Sequence, residues 1–140
     1  MKKSEPVSKI MSTNLITINN SNSLQDAEKL FKQHKIRHIP VVSNKKIIGI
    51  LSLTDLLRLS FVDTYGADDS NVDTAIYNML GIEQVMVGDP VHVSPTKTIR
   101  EVAEILSVNE FHALPVVEDG ILVGIVTTTD LLNYLLEQYL

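Results

Sequence analysis

Two seven-residue stretches hold the side chains best placed for chemistry: Gly49-Ile50-Leu51-Ser52-Leu53-Thr54-Asp55 and Gly124-Ile125-Val126-Thr127-Thr128-Thr129-Asp130. Each runs from an apolar strand through a hydroxyl-bearing turn into a helix, announced by Leu56-Leu57 or Leu131-Leu132. The plainest use of such a turn is structural. A Ser or Thr hydroxyl accepts from N–H groups that a helix start leaves unpaired, and Asp at the third helical position complements the helix dipole. The same geometry suits a ligand. Exposed N–H groups beside a hydroxyl attract an anion, and a carboxylate three residues on can accept hydrogen bonds from a vicinal diol. Phosphate at one end and ribose at the other describe a nucleotide. One Ser/Thr-x-x-Asp is common at helix starts. Two at matching places, each after Gly and two apolar residues, are far more specific.

The matching is literal. Asp55 and Asp130 are 75 residues apart, and the same offset carries Met11 to Met86, Ser23 to Thr98, Pro40 to Pro115 and Gly49 to Gly124. It also carries Ile39-Pro40-Val41-Val42 to Leu114-Pro115-Val116-Val117. This is a tandem duplication with copies at 6–60 and 82–140 and a connector at 61–81. In copy one, Leu15 to Ile18 reads as a short strand. Ser23 with Asp26 caps a helix over Leu24 to His34, whose Leu24, Ala27, Leu30 and Phe31 share one face. Ile39 to Ser43 and Ile47 to Leu51 are the next strands, the latter apolar enough to be buried on both faces, and the helix near Thr54-Asp55 closes the copy. Copy two repeats this with a strand at Val91 to Val93, a helix capped by Thr98 and Glu101, a hairpin turning at Asp119-Gly120, and a last helix over Leu131 to Tyr139. A further short helix is expected at Asp73 to Leu80 in the connector. A copy of about fifty residues is marginal alone. The expected body is therefore an α+β fold of two β-α-β-β-α repeats, packed sheet to sheet with pseudo-twofold symmetry and a cleft on each side.

Composition narrows the classes. The chain has 140 residues, 44% hydrophobic, with 5% aromatics and no Cys. An aliphatic core is implied, and disulfides, thiolate metal sites and a cysteine nucleophile are excluded. No signal-peptide h-region follows Met1, and no apolar run nears the ~20 residues of a membrane span, so a cytoplasmic protein without membrane contact is expected. The net charge of −5 is uneven. Ten Lys and Arg face four acids up to Phe61, whereas two face thirteen from Val62 onward. Scattered cations without interleaved aromatics do not form a nucleic-acid surface. Two solvated faces of opposite sign explain the polarity; antiparallel pairing of two chains, basic half on acidic half, is the functional alternative.

The Met11 and Met86 openings, the two apolar-Pro-Val-Val strands and the two Gly-x-x-Ser/Thr-x-x-Asp elements resemble paired CBS (cystathionine-β-synthase) domains, a Bateman module. The resemblance spans all but the termini and connector. It implies a regulatory sensor of an adenosyl ligand, whether AMP, ADP, ATP or S-adenosylmethionine, that requires no cofactor and pairs as a homodimer. It implies that Asp55 and Asp130 hold ribose hydroxyls, and that Ser52 with Thr54, and Thr127 with Thr129, serve ribose or phosphate. Arg37, His38 and His112 match positions that reach phosphates. Ile16-Thr17 and Val91-His92 match a strand whose main chain reads the adenine edge. One departure stands out: Ala113 occupies the place of His38, so the copy-one site is expected to be the stronger anion site.

Rival readings are weaker. His34 and His38 have metal-ligand spacing on a helix, but Pro40 argues against a helix through His38, and no carboxylate completes a site. An enzyme would need a nucleophile with its base or paired carboxylates in one cleft, and neither pattern occurs. A dimerising scaffold would keep the capping role and drop the ligand. With no catalytic, channel or DNA-binding domain beside the module, a sensor would signal through its own oligomer or a protein partner.

Overall fold

The computed structural model describes residues 4–63 and 79–139. Most of the helix expected at Asp73 to Leu80 lies outside those residues. The chain forms two compact units, Ile16–Asp89 and the pair of segments Met1–Leu15 and Pro90–Leu140.

In the unit of residues 16–89, β1 is Ile18–Asn19, α1 Leu24–His34, β2 His38–Ser43, β3 Lys46–Ser52, α2 Leu53–Asp63, α3 Ile82–Val85 and β4 Val87–Gly88. One sheet has the order β1-β2-β3-β4, with β1 parallel to β2 and the other pairs antiparallel. Helix α1 has the bounds its apolar spacing dictates. Its capping box is reciprocal: Asp26 N donates to Ser23 Oγ at 3.1 Å and Ser23 N to Asp26 Oδ2 at 2.9 Å. Main-chain and side-chain donors from Ser23 and Asn22 hold the Asp26 carboxyl below its ordinary value. Leu24, Ala27, Phe31, Ile39, Val41, Leu51, Leu56 and Ile82 form the core between helices and sheet.

The other unit contains α4 (Ile99–Val108), β5 (Ala113–Glu118), β6 (Ile121–Thr127) and α5 (Thr128–Glu137). The register of β2 with β3 recurs in β5 with β6, residue for residue at the offset of 75, down to the bulge at Val41/Val42 and Val116/Val117. The parallel bridge Val93↔Val116 likewise matches Ile18↔Val41. Val7, Val93, Val102, Leu106, Leu114, Val116 and Val126 make this core.

The free edge of β3, and likewise that of β6, is taken by the opening of the other repeat. β4, which follows Met86, pairs with β3 through Ile50↔Val87, and Ser12, which follows Met11, pairs with β6 through Ser12↔Ile125. These are the same pairing at the offset of 75. Val7, fully buried, therefore sits in the core of the second copy, not its own.

Three expectations change. The strand expected over Leu15 to Ile18 is only Ile18–Asn19, and the one over Val91 to Val93 reduces to the bridge at Val93. The reason is proline. In copy two, Val93 N donates to Pro115 O at 3.1 Å and Val117 N to Val93 O at 2.8 Å. The next bond upstream would need an N–H from Pro115, or from Pro40 in copy one, and proline has none. Second, β3 is not buried on both faces: Gly49 and Leu51 are buried, whereas Ile47, Ile48 and Ile50 are half-buried. Third, the last helix begins at Thr128, three residues before its first Leu, because Thr127 caps it.

Two predictions arise from these contacts. The β2–β3 turn places Asn44 and Lys45 at φ 50° and 68°, matching Asp119 and Gly120 at 51° and 81°. Such a turn favours Gly at its second position, and Lys45 carries a left-handed cost of about 1–2 kcal/mol. Lys45→Gly also loosens the unfolded chain by about 0.4–1 kcal/mol, so a net gain of about 0.5–1 kcal/mol is expected in urea unfolding. The Tyr134 hydroxyl on α5 donates to the Glu5 carboxylate of the N-terminal segment. That bond, and then desolvation, raise the Tyr134 pKa above its ordinary 10.0. The stabilisation is complete below pH 10 and is lost as pH rises through the raised folded-state value. Melting temperature followed from pH 8 to 12 should fall less steeply at the alkaline end for Tyr134→Phe; parallel curves would dismiss the contact.

Candidate functional site

The two helix starts carry the geometry that the sequence singled out. Asp130 N donates to Thr127 Oγ1 at 3.2 Å and Thr127 N to Asp130 Oδ2 at 2.9 Å, a closed capping box. In copy one, Asp55 N donates to Ser52 Oγ at 3.0 Å. Ser52, Asp55, Thr127 and Asp130 are half-buried, while Thr54 and Thr129 are exposed.

The strand next door is tied to each turn. Leu53 N donates to Arg37 O at 2.8 Å, and its counterpart Thr128 N to His112 O at 3.0 Å. Arg37 and His112 are thereby fixed beside the helix N-termini with exposed side chains. His38 lies directly across from Ser52, and Ala113 across from Thr127. A residue pair of this kind projects to one side of the sheet. Copy one therefore has His38 facing Ser52 and the main chain of Arg37 at the start of the helix that carries Asp55, whereas copy two has Ala113 facing Thr127 and the main chain of His112 at the start of the helix that carries Asp130. Ile16 and Thr17 lead into β1, and the missing N–H of Pro40 leaves the ladder unable to engage the Ile16 carbonyl. Pro115 has the same effect at Val91. His92 is the outlier, its Nδ1 lying 3.2 Å from the carbonyl of Pro90.

Two features were not read from the sequence. Arg58, one helical turn beyond Asp55, places Nη1 3.4 Å from Asp55 Oδ1, and copy two has Asn133 at that position. The i, i+3 spacing could have revealed this pair. The methionines also have a role beyond marking the repeat. A Cβ on Gly49 would lie 2.3 Å from Met86 Sδ, and one on Gly124 2.5 Å from Met11 Sδ. The two glycines are the seats on which the exchanged segments lie. Among the described residues, no group of His, Asp or Glu is arranged to hold a metal, and no helix is long and apolar enough to cross a membrane.

The CBS domain family model matches residues 7–61 and 82–137. The chain belongs to the CBS-domain family. Relatives include a CBS domain-containing protein of Dictyostelium discoideum, 29% identical over 94% of this chain and 91% of that one. The inosine-5'-monophosphate dehydrogenase of Korarchaeum cryptofilum is 30% identical over 83% of this chain but only 21% of its own length. The chain spans about a fifth to a half of the first curated relatives it matches. CBSX2, a CBS-pair protein from Arabidopsis thaliana solved in complex with AMP, superposes with a TM-score of 0.80 at 25% identity, covering 97% of this chain and 99% of that one. The CBS domain pair of protein MJ0100, solved with 5'-methylthioadenosine and S-adenosyl-L-methionine, has a TM-score of 0.78 at 25% identity, covering 95% and 97%. The mixed helix and strand content of this chain is thus that of CBS pairs.

Proposed function

We propose that this CBS pair is a regulatory module that binds an adenosyl ligand, AMP, ADP, ATP or S-adenosylmethionine, and signals through a pair of copies or a protein partner rather than by catalysis. The observation that carries the reading is the repetition of one arrangement. A hydroxyl and a carboxylate stand at a helix start, beside a strand whose proline leaves main-chain acceptors outside the sheet ladder. The relatives solved with AMP, 5'-methylthioadenosine and S-adenosyl-L-methionine support an adenosyl group as the common element. In this reading Asp55 and Asp130 take the ribose, and Ile16-Thr17 and Val91-His92 take the adenine edge. Arg37, His38, Ser52 and Thr54 take the phosphates of copy one; His112, Thr127 and Thr129 serve copy two. The arginine and additional histidine make copy one the better site for a polyphosphate, by charge-assisted hydrogen bonding.

A scaffold that binds nothing has one observation in its favour: the Thr127–Asp130 box is complete without a ligand. Calorimetric titration with AMP, ADP, ATP and S-adenosylmethionine, with product analysis of the same mixtures, separates the readings. Heat without turnover supports the sensor, turnover an enzyme, and silence at millimolar ligand the scaffold.

A further inference from the structure

The seats on Gly49 and Gly124 hold a chemistry that packing alone does not use. A Cβ on either glycine would lie within 3.0 Å of the Sδ and Cγ of the methionine above it, and on Gly49 of Cε as well. Both glycines are buried, and each thioether lies directly over the main chain. Each methionine also packs on the core of its own unit, Met86 on the one around Leu51 and Met11 on the one around Val126. Neither is enclosed: both side chains are half-buried, so solvent reaches them. The chain has no Cys, which leaves its thioethers as the side chains most readily oxidised.

We propose that Met11 and Met86 are sites of reversible oxidation by a peroxide, and that their sulfoxides unseat the two exchanged segments. The sulfur attacks one oxygen of hydrogen peroxide; the O–O bond breaks, an S–O bond forms, and the other oxygen leaves as water with both protons. Sulfur loses two electrons and the peroxide gains them. The product no longer suits its place. A sulfoxide is polar and carries an acceptor oxygen, and burying such a group without a donor is unfavourable. On the glycine side there is no room for that oxygen. The oxidised side chain therefore turns out to water and uncovers the glycine. What then holds each segment to the strand edge is short. β4 has two residues, and Ser12 has a single bridge, with its N donating to Ile125 O at 2.8 Å and Ile125 N to its carbonyl at 3.0 Å. Ile50 and Ile125, the residues these segments pair with, each stand two places before a capping hydroxyl, Ser52 or Thr127. Oxidation thus loosens, at matching places in both repeats, the strands that carry the candidate site. Methionine sulfoxide reductases reverse the reaction, which makes it a switch.

Treating the full chain with millimolar hydrogen peroxide tests this, with peptide mass spectrometry counting the added oxygen at each methionine and thermal melting of the same samples. Met79, 78% exposed, is the internal reference. Met11 and Met86 should convert within about tenfold of its rate, since susceptibility follows exposure. Tm should stay level while Met79 alone is converted, and fall by about 5 °C as Met11 and Met86 follow. Reductase treatment should restore it. Met11→Leu combined with Met86→Leu keeps the volume and removes the sulfur; it should abolish the fall, whereas Met79→Leu should not. Met11 and Met86 still reduced when Met79 is fully converted would overturn the proposal. So would both sulfoxides formed with Tm unchanged, which would leave these methionines as packing only. Should the double leucine variant fold poorly, the dependence of Tm on sulfoxide occupancy at each position of the wild type carries the same test.

Discussion

Asp55→Ala is expected to weaken adenosyl-ligand binding at the copy-one site by about 10- to 100-fold and to leave the copy-two site nearly unchanged. A carboxylate that accepts from both ribose hydroxyls makes two charge-assisted hydrogen bonds, each worth about 1.5–3 kcal/mol. Part of that is returned when water fills the gap, which leaves the stated range at about 1.4 kcal/mol per tenfold. The Arg58 contact at 3.4 Å does not cancel it, because Arg58 is 75% exposed and ion pairs of that kind contribute under about 1 kcal/mol. Asp130→Ala should do the reverse. It also opens the Thr127–Asp130 box, so its melting point must be read alongside. Two-site calorimetry gives the answer, and equal losses at both sites from either single variant would end the two-site picture.

Gly124→Ala should destabilise the fold by about 1–3 kcal/mol, the range found when a packed contact is overfilled. The added methyl would stand 2.5 Å from Met11 Sδ and 3.2 Å from the Ser12 carbonyl oxygen. Met11 can change rotamer; the carbonyl cannot withdraw cheaply. Ser12 N donates to Ile125 O at 2.8 Å and Ile125 N to Ser12 O at 3.0 Å, so moving it breaks both bonds. Gly49→Ala meets only the Met86 side chain and should cost less. Urea unfolding ranks the two variants, and adding Met11→Ala to Gly124→Ala should recover only part of the loss. A neutral Gly124→Ala would show that the N-terminal segment is not seated as described. The prediction bears on function because β6, which carries that seat, ends at Thr127.

Much of the candidate site was legible because it is local. Ser52 with Asp55 and Thr127 with Asp130 are three residues apart at a strand–helix joint, and spacing alone sets their geometry. Capping of α1 and the Asp119-Gly120 turn were readable for the same reason. The offset of 75 added a second reading of every element, which is why β5 and β6 could be placed from β2 and β3. Strand length at Ile16-Thr17 was overestimated, since apolar content ignores that the partner strand has a proline where a donor is needed.

Sequence by itself determined the repeat, the helix or strand character of α1, β2, β3, α2, α4, β5, β6 and α5, and the capping geometry at the two helix starts, because each is set by neighbours within a few residues or by identity at a fixed offset. Tertiary structure alone decided that Met11 and Ser12 lie on Gly124 and Ile125, and Met86 and Val87 on Gly49 and Ile50. Strand edges are satisfied by whichever main chain reaches them, and an exchanged partner leaves no local pattern. It also decided that Arg58 meets Asp55, and which helix faces remain uncovered, since exposure is a property of the packed chain and not of any segment.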